Sequence, residues 1–109
     1  MEAVISIISY QYYQFTVPSG ASDIQVSGTF TASGGSENDI KVYVLDITNF
    51  VNWKNGHTAS TYYNGGQLTT GNISATLPSD GTYFLVYDNT FSVFSQKNVN
   101  TQATLSYTK

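Results

Sequence analysis

Apolar and polar residues alternate over much of this chain. From Ile24 to Ala32, one parity holds Ile24, Val26, Gly28, Phe30 and Ala32, and the other holds Gln25, Ser27, Thr29 and Thr31. An extended strand puts successive side chains on opposite faces, so this period of two predicts a strand with one dry face and one wet face. The end of the chain repeats the pattern, with Val99, Thr101, Ala103, Leu105 and Tyr107 set against Asn100, Gln102, Thr104 and Ser106.

Turn-forming residues punctuate the rest. Val4 to Val17 reads as strand, either unbroken or as two strands with a break near Ser9, and Pro18-Ser19-Gly20 ends it. Ser33 to Ser36 is a loop. Asp39 to Ile47 carries Ile40, Val42 and Val44 on one face and Lys41, Tyr43 and Leu45 on the other, the pattern of a central strand covered on both sides. Thr48 to Gly56 has a different character: Thr48 or Asn49 can cap a short helical turn, Gly56 can end it, and Phe50 and Trp53 share a face. Strands are expected over Ala59 to Tyr63, closed by Asn64-Gly65-Gly66, and over Leu68 to Leu77 with Ile73, Ala75 and Leu77 facing inward. Pro78 to Gly81 is a turn, Thr82 to Tyr87 a second central strand, and Asp88-Asn89-Thr90 a break. Seven or eight short strands at this spacing predict an all-β, jelly-roll-like antiparallel β-sandwich, with all 109 residues in one domain.

Composition narrows the function. Charged residues make up only 10% of the chain, arginine is absent, four lysines are the only basic side chains, and the net charge is −3. Nucleic-acid binding needs a basic patch for phosphates, so no such partner is expected, and no polybasic segment is present for anionic lipid. No stretch approaches the ~20 apolar residues of a membrane span, so membrane insertion is not expected. Cysteine is absent, which rules out disulfides, thiolate zinc sites and a cysteine nucleophile. Met1 to Ile8 is apolar but lacks a basic n-region and a cleavage site, so an intact signal peptide is not expected there. A neutral surface rich in Ser, Thr, Asn, Gln and Tyr suits an exported protein and favours self-association or neutral ligands.

Candidate chemistry is sparse. His57, the single histidine, lies in the turn Asn55-Gly56-His57 with no nucleophile signature nearby. Glu37, Asp39, Asp46 and Asp88 are the candidate paired carboxylates, but a domain of this size leaves little room for a deep cleft. No catalysis is expected. Glu37, Asn38 and Asp39 follow a glycine-rich loop and form a candidate calcium site of oxygen ligands, the alternative being turn hydrogen bonds from Asn38 and Asp39 to the backbone. Asp88-Asn89-Thr90 is a second candidate binding segment at the sandwich rim, the alternative being an Asx-type turn that ends the strand, with Phe91 and Phe94 folding back on the core. Aromatic residues make up 15% of the chain. Trp53, Tyr62, Tyr63 and Tyr43 are the candidate ligand-binding residues, because exposed rings beside amides and carboxylates hold neutral glycans. The alternative is that Trp53 and Phe50 plug one end of the sandwich and that Tyr10, Tyr12 and Tyr13 make cross-strand packing pairs.

Three segments carry a family resemblance. Phe15-Thr16-Val17-Pro18-Ser19-Gly20-Ala21, Gly34 to Val44 and Leu77-Pro78-Ser79-Asp80-Gly81-Thr82-Tyr83-Phe84-Leu85-Val86 together resemble the bacterial pre-peptidase C-terminal domain, a jelly-roll sandwich appended to secreted enzymes. That family shows two acidic positions where this chain has Asn38 and Asp39, and the matching segment sometimes helps bind calcium. Gly81 to Ser92, with Lys97 and Val99, is also similar to the end of the Golgi-dynamics (GOLD) domain of p24/emp24-type and Sec14-like proteins. Both resemblances imply a β-sandwich; the GOLD resemblance implies an interaction module with no enzymatic activity, and the pre-peptidase resemblance an exported setting. The expected partner is another protein or a like domain. Two further readings remain open: a carbohydrate-binding module, and a structural subunit pairing through its long N-terminal strand. Beyond calcium, no cofactor is expected.

Overall fold

A computed structural model of the chain describes residues 1–34, 39–92 and 96–109. Its elements run β1 (Glu2–Ile7), β2 (Tyr10–Val17), β3 (Ser22–Ser33), β4 (Ile40–Asp46), α1 (Ile47–Lys54), β5 (Tyr63–Leu68), β6 (Thr70–Leu77), β7 (Gly81–Asp88) and β8 (Lys97–Thr108). Two four-stranded sheets hold the orders β1-β8-β3-β6 and β2-β7-β4-β5, with every pairing antiparallel. Consecutive strands fall in opposite sheets, except that β3 is followed in the second sheet by β4 and then β5. The result is an eight-stranded jelly-roll-like sandwich, as the strand count and alternation predict.

The alternating residues meet between the sheets. Ile5, Ile7, Ile24, Val26, Phe30, Ala32, Ile73, Ala75, Leu77, Val99 and Ala103 from the first sheet pack against Val17, Ile40, Val42, Val44, Tyr83, Leu85 and Tyr87 from the second. β4 and β7 are central in their sheet, which explains why both of their faces are apolar. Val4 to Val17 is two strands. The chain crosses from one sheet to the other at Ile8-Ser9, so β1 and β2 cannot act as one long edge.

Four local expectations are corrected. The cap of α1 is Asp46, whose Oδ1 accepts from the Asn49 N–H at 2.8 Å and from Asn49 Nδ2 at 2.9 Å; neither Thr48 nor Asn49 fills that role. Ala59 to Thr61 is not strand, because Asn49 Oδ1 accepts from the Ser60 N–H at 2.9 Å and ties this segment to the helix. Asn64-Gly65-Gly66 closes nothing and lies inside β5. The register slips there between Lys41 and Tyr43, and Gly66 has φ +70°, the signature of a glycine bulge. The reversal comes at Thr69, so Leu68 ends β5 and does not begin β6.

One polar pair sits in the core. The Tyr87 hydroxyl meets Thr101 Oγ1, which also bonds to the Thr29 carbonyl at 3.0 Å. Burial pushes the Tyr87 phenol up to about 12, working against the Thr101 hydrogen bond, which favours the ionised form. A phenol whose value is raised on folding stabilises the fold fully below its unfolded value near 10 and loses that contribution as pH rises through the folded value. Wild-type protein is therefore expected to lose about 2–3 kcal/mol of stability between about pH 10 and pH 12. Tyr87→Phe is expected to flatten that slope in chemical denaturation while changing neutral-pH stability by only about 1 kcal/mol.

Candidate functional site

The two outward faces differ in chemistry. On the first sheet, the outward positions are Ser27, Thr29 and Thr31 of β3, Asn72, Ser74 and Thr76 of β6, and Asn100, Gln102 and Thr104 of β8, all exposed. Their register sets Gln102 beside Thr29 and Thr29 beside Asn72 in a row of hydroxyls and amides, which β1 borders with Glu2 opposite Gln102 and Val4 opposite Asn100.

The second sheet is aromatic on its outward side. The α1 helix lays Phe50 over Leu45, Phe84 and Val86, and the Phe50 and Phe84 rings stack with centroids 4.1 Å apart. Around this buried floor stand Tyr10, Tyr12, Tyr43 and Trp53. Trp53 meets Tyr10 edge-on at 5.1 Å and Tyr43 at 6.1 Å, and Tyr12 leans on Phe50 at 5.0 Å and on Phe84 at 5.8 Å. Tyr12 is 44% exposed, so the patch is open to solvent at its β2 side. Burial, together with the Asp88 carboxylate facing it, raises the Tyr43 phenol above its ordinary value.

Of the four aromatic candidates, the structure brings together Tyr43 and Trp53. Their rings are tilted by 56°, which is not a coplanar platform. Tyr62 stands elsewhere, edge-on to Tyr83 and donating to Asp46 Oδ2 at 3.4 Å. Tyr63 turns onto the core between the sheets. Trp53 and Phe50 cover a sheet face and do not plug an end of the sandwich. Tyr10 and Tyr12, read from sequence as strand packing, complete the patch. Their parity opposite Tyr13 and Phe15 was the signal that they leave the core.

At the rim, a buried charge joins three segments. Lys97, 1% exposed, donates from Nζ to the Asp39 carbonyl at 3.0 Å, to Asp39 Oδ1 at 3.2 Å and to Asn89 Oδ1 at 3.1 Å. Its ammonium also lies 4.9 Å from the centre of the Phe91 ring, a cation–π contact. Gln67 Nε2 donates to Asp39 Oδ2 at 2.6 Å, and Asn89 Nδ2 reaches the carbonyls of Ile7 and Ile8. Burial alone would raise the Asp39 carboxyl, but the hydrogen bonds from Gln67 and Lys97 and the Lys97 charge outweigh it and hold Asp39 below its ordinary value. Sequence reasoning passed over Lys97, although it takes the inward parity of Val99 and Thr101.

This arrangement bears on the calcium candidate. Glu37 and Asn38 lie outside the described residues, as does Phe94. Asp39 holds Lys97 through its carbonyl and Oδ1 and holds Gln67 through Oδ2. The remaining candidate carboxylates are also engaged. Asp46 caps α1, and Asp88 Oδ1 accepts from the Thr90 N–H at 2.7 Å and from Thr90 Oγ1 at 2.6 Å, the expected Asx turn. His57 is exposed, and its backbone N–H bonds to the Asn52 carbonyl.

The family model of the bacterial pre-peptidase C-terminal domain matches residues 9–87, from the start of β2 through β7. The chain belongs to this family. The matched stretch holds the whole aromatic patch and the Asp39 side of the rim cluster, while β1 and β8 lie outside it. Among solved structures, Aeromonas hydrophila PliG, a periplasmic inhibitor of g-type lysozyme, aligns with 95% of this pre-peptidase C-terminal domain and 85% of its own chain, at 14% identity and a TM-score of 0.44. A search of curated proteins finds no match.

Proposed function

We propose that this domain is a non-catalytic accessory module of the secreted or cell-envelope side that holds a protein partner through the aromatic face of its second sheet. The carrying observation is the patch itself. Tyr10, Tyr12, Tyr43 and Trp53 surround a packed floor of Phe50 and Phe84, and Tyr and Trp over a dry centre are the residues that dominate protein–protein binding energy. Family membership supports an accessory role. The structural engagements of Asp39, Asp46 and Asp88 support the absence of catalysis, since each carboxylate already holds part of the fold.

The row of hydroxyls and amides on the first sheet favours a second reading, binding to a neutral glycan. One experiment separates the two. Immobilised wild-type domain is expected to retain a protein of the exported fraction that the Tyr10→Ser/Tyr12→Ser double variant releases, with the interaction rebuilt from purified components. Neutral oligosaccharides at millimolar concentration are expected to leave the NMR signals of Thr29, Asn72 and Gln102 on the first sheet unchanged. Saturable shifts of those signals with a saccharide, with no variant-sensitive protein partner, would replace the protein reading with the glycan one.

A further inference from the structure

Of the four lysines, only Lys97 is buried. An ammonium has three donors, and here they serve the Asp39 carbonyl, Asp39 Oδ1 and Asn89 Oδ1. Asn89 and Asp39 are buried as well. The Asn89 amide is oriented by its own bonds. Its Nδ2 donates to the Ile7 carbonyl at 3.3 Å and the Ile8 carbonyl at 3.1 Å, so Oδ1 must face Lys97. The amide carbon therefore sits one bond behind the oxygen that Nζ touches at 3.1 Å. The Phe91 ring covers the ammonium with its centre 4.9 Å away.

A primary amine, a carboxamide and a carboxylate held together away from water are the groups needed to make an amide bond between side chains. The amine is the nucleophile, the carboxamide is the acyl donor with ammonia as its leaving group, and the carboxylate carries protons. Between free side chains in water this exchange is very slow. A fixed arrangement of the reacting groups supplies effective molarities that reach about 10⁵–10⁸ M. We infer that Lys97 and Asn89 become joined by an amide bond between Nζ and Cγ, with Asp39 as the catalytic carboxylate.

The steps balance within these three side chains. Asp39 Oδ1 takes one proton from the ammonium, which it meets at 3.2 Å. The freed lone pair attacks Asn89 Cγ, and the C=O electron pair moves onto Oδ1. Asp39 then passes its proton to Nδ2 and takes the second proton from the attacking nitrogen. As the C=O bond re-forms, the Cγ–Nδ2 bond breaks and its electron pair leaves with ammonia. Ammonia takes the proton left on Asp39 and departs as an ammonium ion. No oxidant, reductant or co-reactant enters. Burial alone would raise Asp39, but the hydrogen bonds from Gln67 and Lys97 hold it below its ordinary value, so it is ionised. A carboxylate anion resists nucleophilic attack, which leaves Asn89 as the acyl donor. The bond ties the end of β7 in one sheet to the start of β8 in the other, and it replaces a buried ammonium with a neutral amide. Lys97→Met loses this bond along with the ion pair.

Intact mass spectrometry of the folded wild-type chain tests this. The expected mass is about 17 Da below that of the sequence, the loss of one ammonia. A lysine-specific protease is expected to spare Lys97. Fragmentation is expected to give no ions from within 89–97, which the bond closes into a ring. Lys97→Arg and Asp39→Ala, checked for folding by circular dichroism, are expected to keep their full mass. Should either variant fail to fold, the wild-type fragment map decides alone. A folded wild-type chain still at full mass after days at neutral pH would overturn the inference. So would a loss of about 18 Da, which marks water leaving from Asp39. An ammonia loss mapped only to Asn55-Gly56 or Asn64-Gly65, where an asparagine can close on its own backbone, would do the same. A folded Asp39→Ala chain that still loses ammonia at Lys97 would overturn the role of Asp39.

Discussion

Replacing Lys97 with methionine is expected to cost the fold about 3–5 kcal/mol, the range for removing one partner of a buried ion pair. Three oxygens lose the Lys97 ammonium at once: the Asp39 carbonyl, Asp39 Oδ1 and Asn89 Oδ1. The Asp39 carboxylate would then be left buried with only the Gln67 amide for company. In a domain of this size, the loss corresponds to a fall in melting temperature on the order of 15 °C or more. The Lys97→Met/Asp39→Asn double variant is expected to recover part of it, because the stranded charge goes with its partner. Asp39 also predicts an acid response. Its value is lowered on folding, so its contribution is present above the ordinary carboxylate value and is lost as pH falls through the folded one. Asp39→Asn should remove that acid loss. Urea denaturation of the three variants across pH tests all of this, and a Lys97→Met protein within about 1 kcal/mol of wild type would contradict it.

The second large effect is expected at Gly28. This residue faces inward in the middle of β3, opposite Ala103 of β8 and Ile73 of β6. A Cβ there would stand 2.0 Å from the Gln102 carbonyl oxygen and 2.8 Å from the Ala103 Cα. Both are backbone atoms of a paired strand, so no side-chain rotation relieves the contact. Gly28→Ala must spread β3 from β8 along the longest ladder of the molecule. A loss of about 3 kcal/mol is expected, at the upper end of what overpacking costs, with Gly28→Val failing to fold. The denaturation midpoint measures it. An unchanged midpoint would mean that the two strands are not held this closely.

Both sites were half legible in the sequence. Gly28 could be read from sequence as an inward position in a strand, since it shares the parity of Val26 and Phe30. That the position tolerates no Cβ could not be read there, because the obstructing carbonyl comes from Gln102, far along the chain. Lys97 is similar. Its parity with Val99 and Thr101 points inward, but an inward lysine makes sense only when Asp39 and Asn89 are brought to it. The aromatic patch was half visible. Phe50 and Trp53 at helical spacing and Tyr43 on β4 were evident, whereas Tyr10 and Tyr12 join them only because β2 lies beside β7. Tyr62 and Tyr63 are adjacent in sequence and part company because one leans on Asp46 at the rim and the other turns into the core.

The pleat makes side-chain direction a local property. The chain therefore determined by itself that it is all-β, which residues face inward on β3, β6 and β8, and that β4 and β7 are central. It also excluded thiol chemistry and a basic binding surface through composition alone. Only the tertiary structure decided which strands are neighbours, that Gly65-Gly66 bulges a strand without ending it, and that Lys97 is a buried cation. Those features depend on contacts between segments remote in sequence, such as Lys97 with Asp39 and Met1 with Ala103. Alternation along one strand says which way a side chain points and nothing about what it meets.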